Sequence, residues 1–131
     1  MNKKAIVLSV KETMDALSKK GPFREEMFVD ESGTIRVLRA ITSDSPSDEA
    51  EIHGNWHDIF FVLEGEEEFF IGEDINDKQL VGSLEDGEWT GKELVGAEKH
   101  LIKKGNMIII PKGVPHKHGK GKIRLIIIKA K

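Results

Sequence analysis

Glu51-Ile52-His53-Gly54-Asn55-Trp56-His57-Asp58 runs without a break into Ile59-Phe60-Phe61-Val62-Leu63-Glu64-Gly65. Glu51 and His53 are two residues apart, so on a strand both side chains point to one face. Gly54-Asn55 permits a turn. From Asp58 the pattern has period two: Asp58, Phe60 and Val62 take one face, Ile59, Phe61 and Leu63 the other. Both faces are apolar, so this strand is expected to be covered on both sides. Gly65 reads as a turn, after which Glu67 to Ile71 return. A second stretch lies far downstream: Gly105-Asn106-Met107-Ile108-Ile109-Ile110-Pro111-Lys112-Gly113-Val114-Pro115-His116-Lys117-His118. It reads as a short buried strand, a rigid proline turn, and a strand start with His116 and His118 on one face.

The flanking sequence keeps the same rhythm. Met27-Phe28-Val29 and Thr34 to Ile41 read as two strands joined by the tight turn Glu31-Ser32-Gly33, with Arg36 and Arg39 at solvent. Residues 43–48 form a polar loop. Gly72 to Gly96 is rich in Gly, Asp and Glu and reads as an insertion, with weak strands near Gln79-Leu80-Val81 and Trp89. Glu98 to Ile102 resumes a strand. Gly119-Lys120-Gly121 reads as a further turn before a closing strand, Lys122 to Lys129. Many short, regularly punctuated strands predict an all-β sandwich or barrel over 26–130. One helix is expected over 9–20, with Ser9 as N-cap, Glu12 completing a capping box, Met14 and Leu17 on one face, and Gly21-Pro22 as the stop.

The 131 residues suit one domain, 1–131, with a core of its own. There is no cysteine, which excludes disulfides and thiolate metal sites. No stretch is long enough to span a membrane and none has signal-peptide form, so the expectation is a cytoplasmic protein without a membrane partner. The net charge of −3 conceals an asymmetry: 17 acidic residues and two lysines between Asp44 and Glu98, then ten Lys and Arg and no acid from Lys99 to Lys131. The basic residues alternate with core residues and carry no aromatic partners for base stacking. They are therefore expected to pair with acidic strands across a sheet rather than to bind nucleic acid.

At Gly105, Pro111, Gly113 and His116 the chain resembles the cupin family, whose second motif has glycine, five residues, Pro-x-Gly, two residues and histidine. Leu63-Glu64-Gly65-Glu66 resembles the end of the family's first motif. Counting back from it, Asp58 falls on that motif's glutamate, His53 on its second histidine and Glu51 on its first. Glu51 thus replaces a His, Asp58 replaces a Glu, and Lys120 stands where the second motif often ends in Asn. The resemblance implies a double-stranded β-helix, or jelly roll, with its site inside the barrel. It implies no one reaction, since the fold serves oxygenases, isomerases, storage proteins and ligand sensors alike.

Glu51, His53, Asp58 and His116 are the expected ligands of a divalent metal. The mixture of imidazole and carboxylate favours iron, manganese or zinc over copper. Next to Asp58, His57 turns to the other face and reaches a metal only if Gly54 to Trp56 bulges; in that register the ligands would be His53, His57 and His116. His118 shares the face of His116, as a neighbour of the ligands or a substrate-facing base. Phe60 and Phe69 are expected to line the ligand pocket and Trp56 to sit at its mouth, with ordinary packing as the plainer reading of each. Two functions stay open: a metal-dependent enzyme of oxygenase or isomerase type acting on a small molecule, and a non-catalytic binding or sensing domain. A sugar isomerase using tyrosine is disfavoured because the chain has no Tyr. Ile59, Phe61, Leu63 and Phe70, opposite the expected lining, predict a homodimer.

Overall fold

The computed structural model describes residues 5–9 and 22–131. The helix expected over 9–20 lies, save for Ser9, outside them. Eleven strands follow in order: β1 Phe23–Val29, β2 Ile35–Ile41, β3 Ala50–His53, β4 His57–Ile71, β5 Asp74–Ile75, β6 Gln79–Val81, β7 Glu88–Gly91, β8 Leu94–Val95, β9 Glu98–Lys103, β10 Met107–Ile110 and β11 His116–Ala130. The expected weak strands at Gln79–Val81 and around Trp89 are both present. The region read as a loop or insertion thus supplies four short strands, β5 to β8.

Two strands of 15 residues, β4 and β11, carry the architecture. They pair antiparallel along nearly their whole length, from Ala130 opposite His57 to His116 opposite Ile71. Their partners change along the way. The first half of β4 pairs with β10 and the second half of β11 with β2, and β1 completes that layer. The second half of β4 pairs with β9 and the start of β11 with β3, which continues to β7 and β6. The chain therefore folds as two layers that share their two longest strands, all pairs antiparallel.

This corrects the expected turns at Gly65 and at Gly119-Lys120-Gly121. Neither stretch is a hairpin; both lie within continuous strands, Gly65 opposite Ile123 and Gly121 opposite Glu67, where the strands pass from one layer to the other. The register shifts between His118 and Gly121 and again between Arg124 and Leu125. Such bulges bend and twist a strand without ending it. Gly65 has φ +82°, and a Cβ there would lie 2.2 Å from the carbonyl oxygen of Lys122. Glycine is demanded by the corner.

The core lies between the layers. Leu38 and Ala40 of β2, Phe60, Val62 and Phe69 of β4, Ile102 of β9, Ile110 of β10, and Ile123, Leu125 and Ile127 of β11 form one buried cluster. The period-two reading of β4 holds: Asp58, Phe60 and Val62 are buried. Its other face is less covered than expected, with Phe61 38 % exposed. The β1–β2 turn is fixed by Asp30, whose carboxylate accepts the N–H groups of Thr34 at 2.7 Å and Ile35 at 2.9 Å. Arg36 and Arg39 lie half-buried, paired with Glu26 and Glu25 on β1.

Candidate metal centre

Glu51 and His53 project from the same face of β3, because Ala50 and Ile52 take the other face into a small second core with Ile75. His116 opens β11 directly opposite Glu51. Three strand positions that are neighbours by pairing thus bring three donors together. The side chains of Glu51, His53 and His116 each offer an atom within 4.8 Å of the other two. The His53 and His116 rings lie 5.0 Å apart, centroid to centroid.

Hydrogen bonds aim these groups. His116 Nδ1 donates to the carbonyl of Val114 at 3.0 Å, in the Pro111–Pro115 turn. Nε2 is then the nitrogen that carries the free lone pair. His116 is 2 % exposed. Burial disfavours its charged form and holds its pKa at about 4, against the pull of the Val114 carbonyl. His53 Nδ1 meets Glu88 Oε2 at 2.5 Å, across the β3–β7 pair in which the two residues stand opposite. His53 Nε2 points to Glu51 Oε2 at 3.3 Å. Burial works against charge on His53, but its bonds to Glu51 and Glu88 outweigh that and raise its pKa. The hydrogen bond from His53 is also the largest influence on Glu51, bringing that carboxyl to about 2. Glu51 is therefore an ionised oxygen donor over the whole neutral range, and a cation entering here would displace the His53 proton.

Asp58 is buried beside this cluster, with Oδ2 3.7 Å from His53 Nε2, but its other oxygen accepts from Lys129 Nζ at 2.7 Å. Asp58 stands outside the three-residue donor set and inside a buried ion pair with Lys129, its cross-strand neighbour on β11. His57 is tied elsewhere: its Nδ1 accepts the N–H of Lys112 at 3.1 Å, in the turn after β10. His118 Nδ1 meets the buried Glu67 Oε1 at 2.6 Å, and its ring stacks on Phe60 at 5.8 Å. It lies on the wall of a cavity of about 360 Å³, with Ala40, Ile41 and Leu125 beside it and Phe23 and Arg24 at the β1 edge. Phe60 and Phe69 are in the core, 4 % and 0 % exposed, and Phe69 stacks on His116 at 5.8 Å. Trp56 meets two cations, with Lys131 Nζ 4.8 Å and the Arg36 guanidinium 5.6 Å from its ring. His100 is exposed near Glu98.

Sequence reasoning did not single out Glu88, Glu67 or Lys129. The first two become meaningful only through strand pairing. Lys129 carried a signal: it continues the inward series Ile123, Leu125, Ile127 at period two, and it is 6 % exposed.

No protein-family model and no curated protein sequence matches the chain. Solved structures do. The protein NMB1881 from Neisseria meningitidis superposes with a TM-score of 0.62 at 14 % identity, over 96 % of this chain and 100 % of its own. An uncharacterised protein with a double-stranded β-helix domain from Klebsiella pneumoniae gives 0.56 at 17 % identity, over 97 % and 90 %. The DMSP lyase DddQ from Ruegeria pomeroyi gives 0.54 at 12 % identity, over 84 % of this chain, which spans about half the lyase (47 %). Such likenesses show the fold, and the fold is the double-stranded β-helix of the cupins.

Proposed function

We propose that this cupin-fold chain binds a divalent cation through Glu51, His53 and His116, and uses it to hold a small molecule inside the barrel. The observation that carries the reading is the pair of oriented imidazoles. Val114 and Glu88 each occupy an Nδ1, so both Nε2 atoms are left for the cluster that Glu51 completes. Two histidines and one carboxylate, with other positions open, is the donor set that suits non-haem iron(II) and related ions. Manganese(II) and zinc are compatible with the same donors.

The bound ion would supply Lewis acidity and a place for direct chelation of substrate or dioxygen. The chain's own residues would hold and orient. The core around Phe60 and Phe69 excludes water behind the site, and His118, anchored on Glu67, would face a ligand entering the cavity that it lines. An enzyme of oxygenase or isomerase type is the reading we favour. Among the structural neighbours a lyase shares the fold. A non-catalytic sensing domain is the second reading, favoured by the Glu and Asp at positions where the resemblance leads one to expect His and Glu. We further propose that the chain works as a homodimer in the cytoplasm. Among the described residues no helix is long and apolar enough to cross a membrane.

Elemental analysis of protein purified without a metal-affinity tag, followed by Mn²⁺ titration, tests the metal. His53→Ala and His116→Ala are each expected to abolish binding, while His57→Ala retains it. Full loss in His57→Ala with Glu51→Gln harmless would move the ligand set to His53, His57 and His116.

A further inference from the structure

Lys129 is a buried ammonium in the second half of β11, where the other inward positions, Ile123, Leu125 and Ile127, are all apolar. Its partner Asp58 is equally buried, and the two side chains are 7 % and 3 % exposed. A buried ion pair is a poor way to stabilise a core, because taking both charges out of water costs about as much as their attraction returns. An apolar pair would serve packing at least as well. The ion pair therefore calls for another role, and its position supplies one. Asp58 Oδ1 is held by Lys129 at 2.7 Å while Oδ2 lies 3.7 Å from His53 Nε2. A small rotation of the carboxylate, were Lys129 absent, would bring it into the donor set.

We infer that Lys129 is a positioning residue that withholds Asp58 from the metal and keeps the site at three protein ligands. The inference rests on the metal reading above and says what the open side of that site is for. An ion that takes six ligands keeps three positions with Glu51, His53 and His116 alone, and only two if Asp58 also binds. Three leave room for a two-point oxygen chelate and one further small ligand. The ligand class that fits is thus a small oxygen chelator, such as a hydroxy or keto carboxylate.

The test compares the wild-type chain, Lys129→Met, and the double variant Asp58→Asn with Lys129→Met, by calorimetric titration with Mn²⁺ alone. Lys129→Met is expected to bind about 10- to 100-fold more tightly, the range that partners behind metal ligands command. The double variant is expected to return to within about threefold of wild type, because it removes both charges and Asp58 contributes nothing in the wild-type site. Equal or weaker binding by Lys129→Met overturns the inference. So does loss of binding in the double variant, since Asp58 would then be a ligand already. The double variant replaces the pair by neutral side chains of similar size, so loss of binding in it overturns the inference even if Lys129→Met alone does not fold. Absence of Mn²⁺ binding in all three proteins would remove the metal reading itself, and this inference with it.

Discussion

His116 and His53 lie side by side, yet their surroundings pull them apart. His116 is dominated by burial and falls to about 4, whereas His53, between Glu51 and Glu88, rises. The signs for stability follow. Between about pH 4 and pH 6.5 the unfolded chain protonates His116 and the folded chain does not, so this residue makes the fold less stable as pH falls through that window. His53 acts oppositely: its stabilisation is complete below the unfolded value of 6.5 and is lost as pH rises through its higher folded value. In metal-free protein followed by NMR, the His116 ring is expected to titrate near pH 4 and the His53 ring above 6.5. Ordinary titration near 6.5 by both of these rings would mean that neither sits where described. Much of this arrangement was legible in residue spacing. An i, i+2 pair on a strand must share a face, and the Gly-to-His spacing of the second stretch placed His116 at a strand start. The partners that orient the rings were not legible, because Glu88 meets His53 only through the β3–β7 register. Asp58 was read correctly as inward, but inward does not mean free: its fate depended on Lys129, 71 residues away in sequence.

At the scale of elements, glycine was the misleading signal. Gly65 and Gly121 were read as chain reversals, and both instead mark corners in strands that continue. The physical difference is whether the glycine relieves a turn or a close approach between backbones, and composition does not distinguish them. In the structure the distinction is testable. A Cβ at Gly65 would press on the Lys122 carbonyl at 2.2 Å with φ at +82°, so nothing flexible can yield. Gly65→Ala is expected to lose stability on the order of 3 kcal/mol or more. Gly33, in the β1–β2 turn, has φ +68° but open space around its Cβ position. Gly33→Ala should lose only about 1 kcal/mol, the cost of the left-handed backbone alone. Urea unfolding of both variants checks the difference; equal losses would mean that the two long strands do not cross as described. The inner face of β4, by contrast, was readable in Asp58, Phe60 and Val62, since a buried strand face declares itself at period two whatever the neighbours are; the cover expected over its other face was not.

The whole molecule resolves the charge asymmetry of the sequence. β4 meets basic residues of the tail at three points: Lys99 approaches Glu68 at 3.8 Å, Lys104, just past β9, approaches Glu64 at 3.4 Å, and Lys129 meets Asp58 near the start of β4. The acidic middle and basic tail are therefore partners within one sheet, as the alternation of basic and apolar residues suggested. One face of the sheet is apolar. Residues directly opposite one another across an antiparallel ladder share a face. The registers line up Ile109, Ile59, Ile128, Val37 and Phe28 in one row across β10, β4, β11, β2 and β1. Met107, Phe61 and Ile126 form part of a second row on the same outer side. Ile109 is 62 % exposed, Met107 59 % and Ile35 46 %. A contiguous exposed apolar face of this kind marks an interaction surface. A second copy of the chain is the partner we propose, since a two-fold contact would set such rows against each other as the halves of a β-sandwich. Sedimentation equilibrium at micromolar concentration is expected to give twice the 14.7 kDa chain mass. Ile109→Lys, which places a charge on the exposed edge of the face while leaving the core alone, should return the chain to a monomer that still binds Mn²⁺. A wild-type protein that sediments only at 14.7 kDa would show that this face is not covered by its own copy.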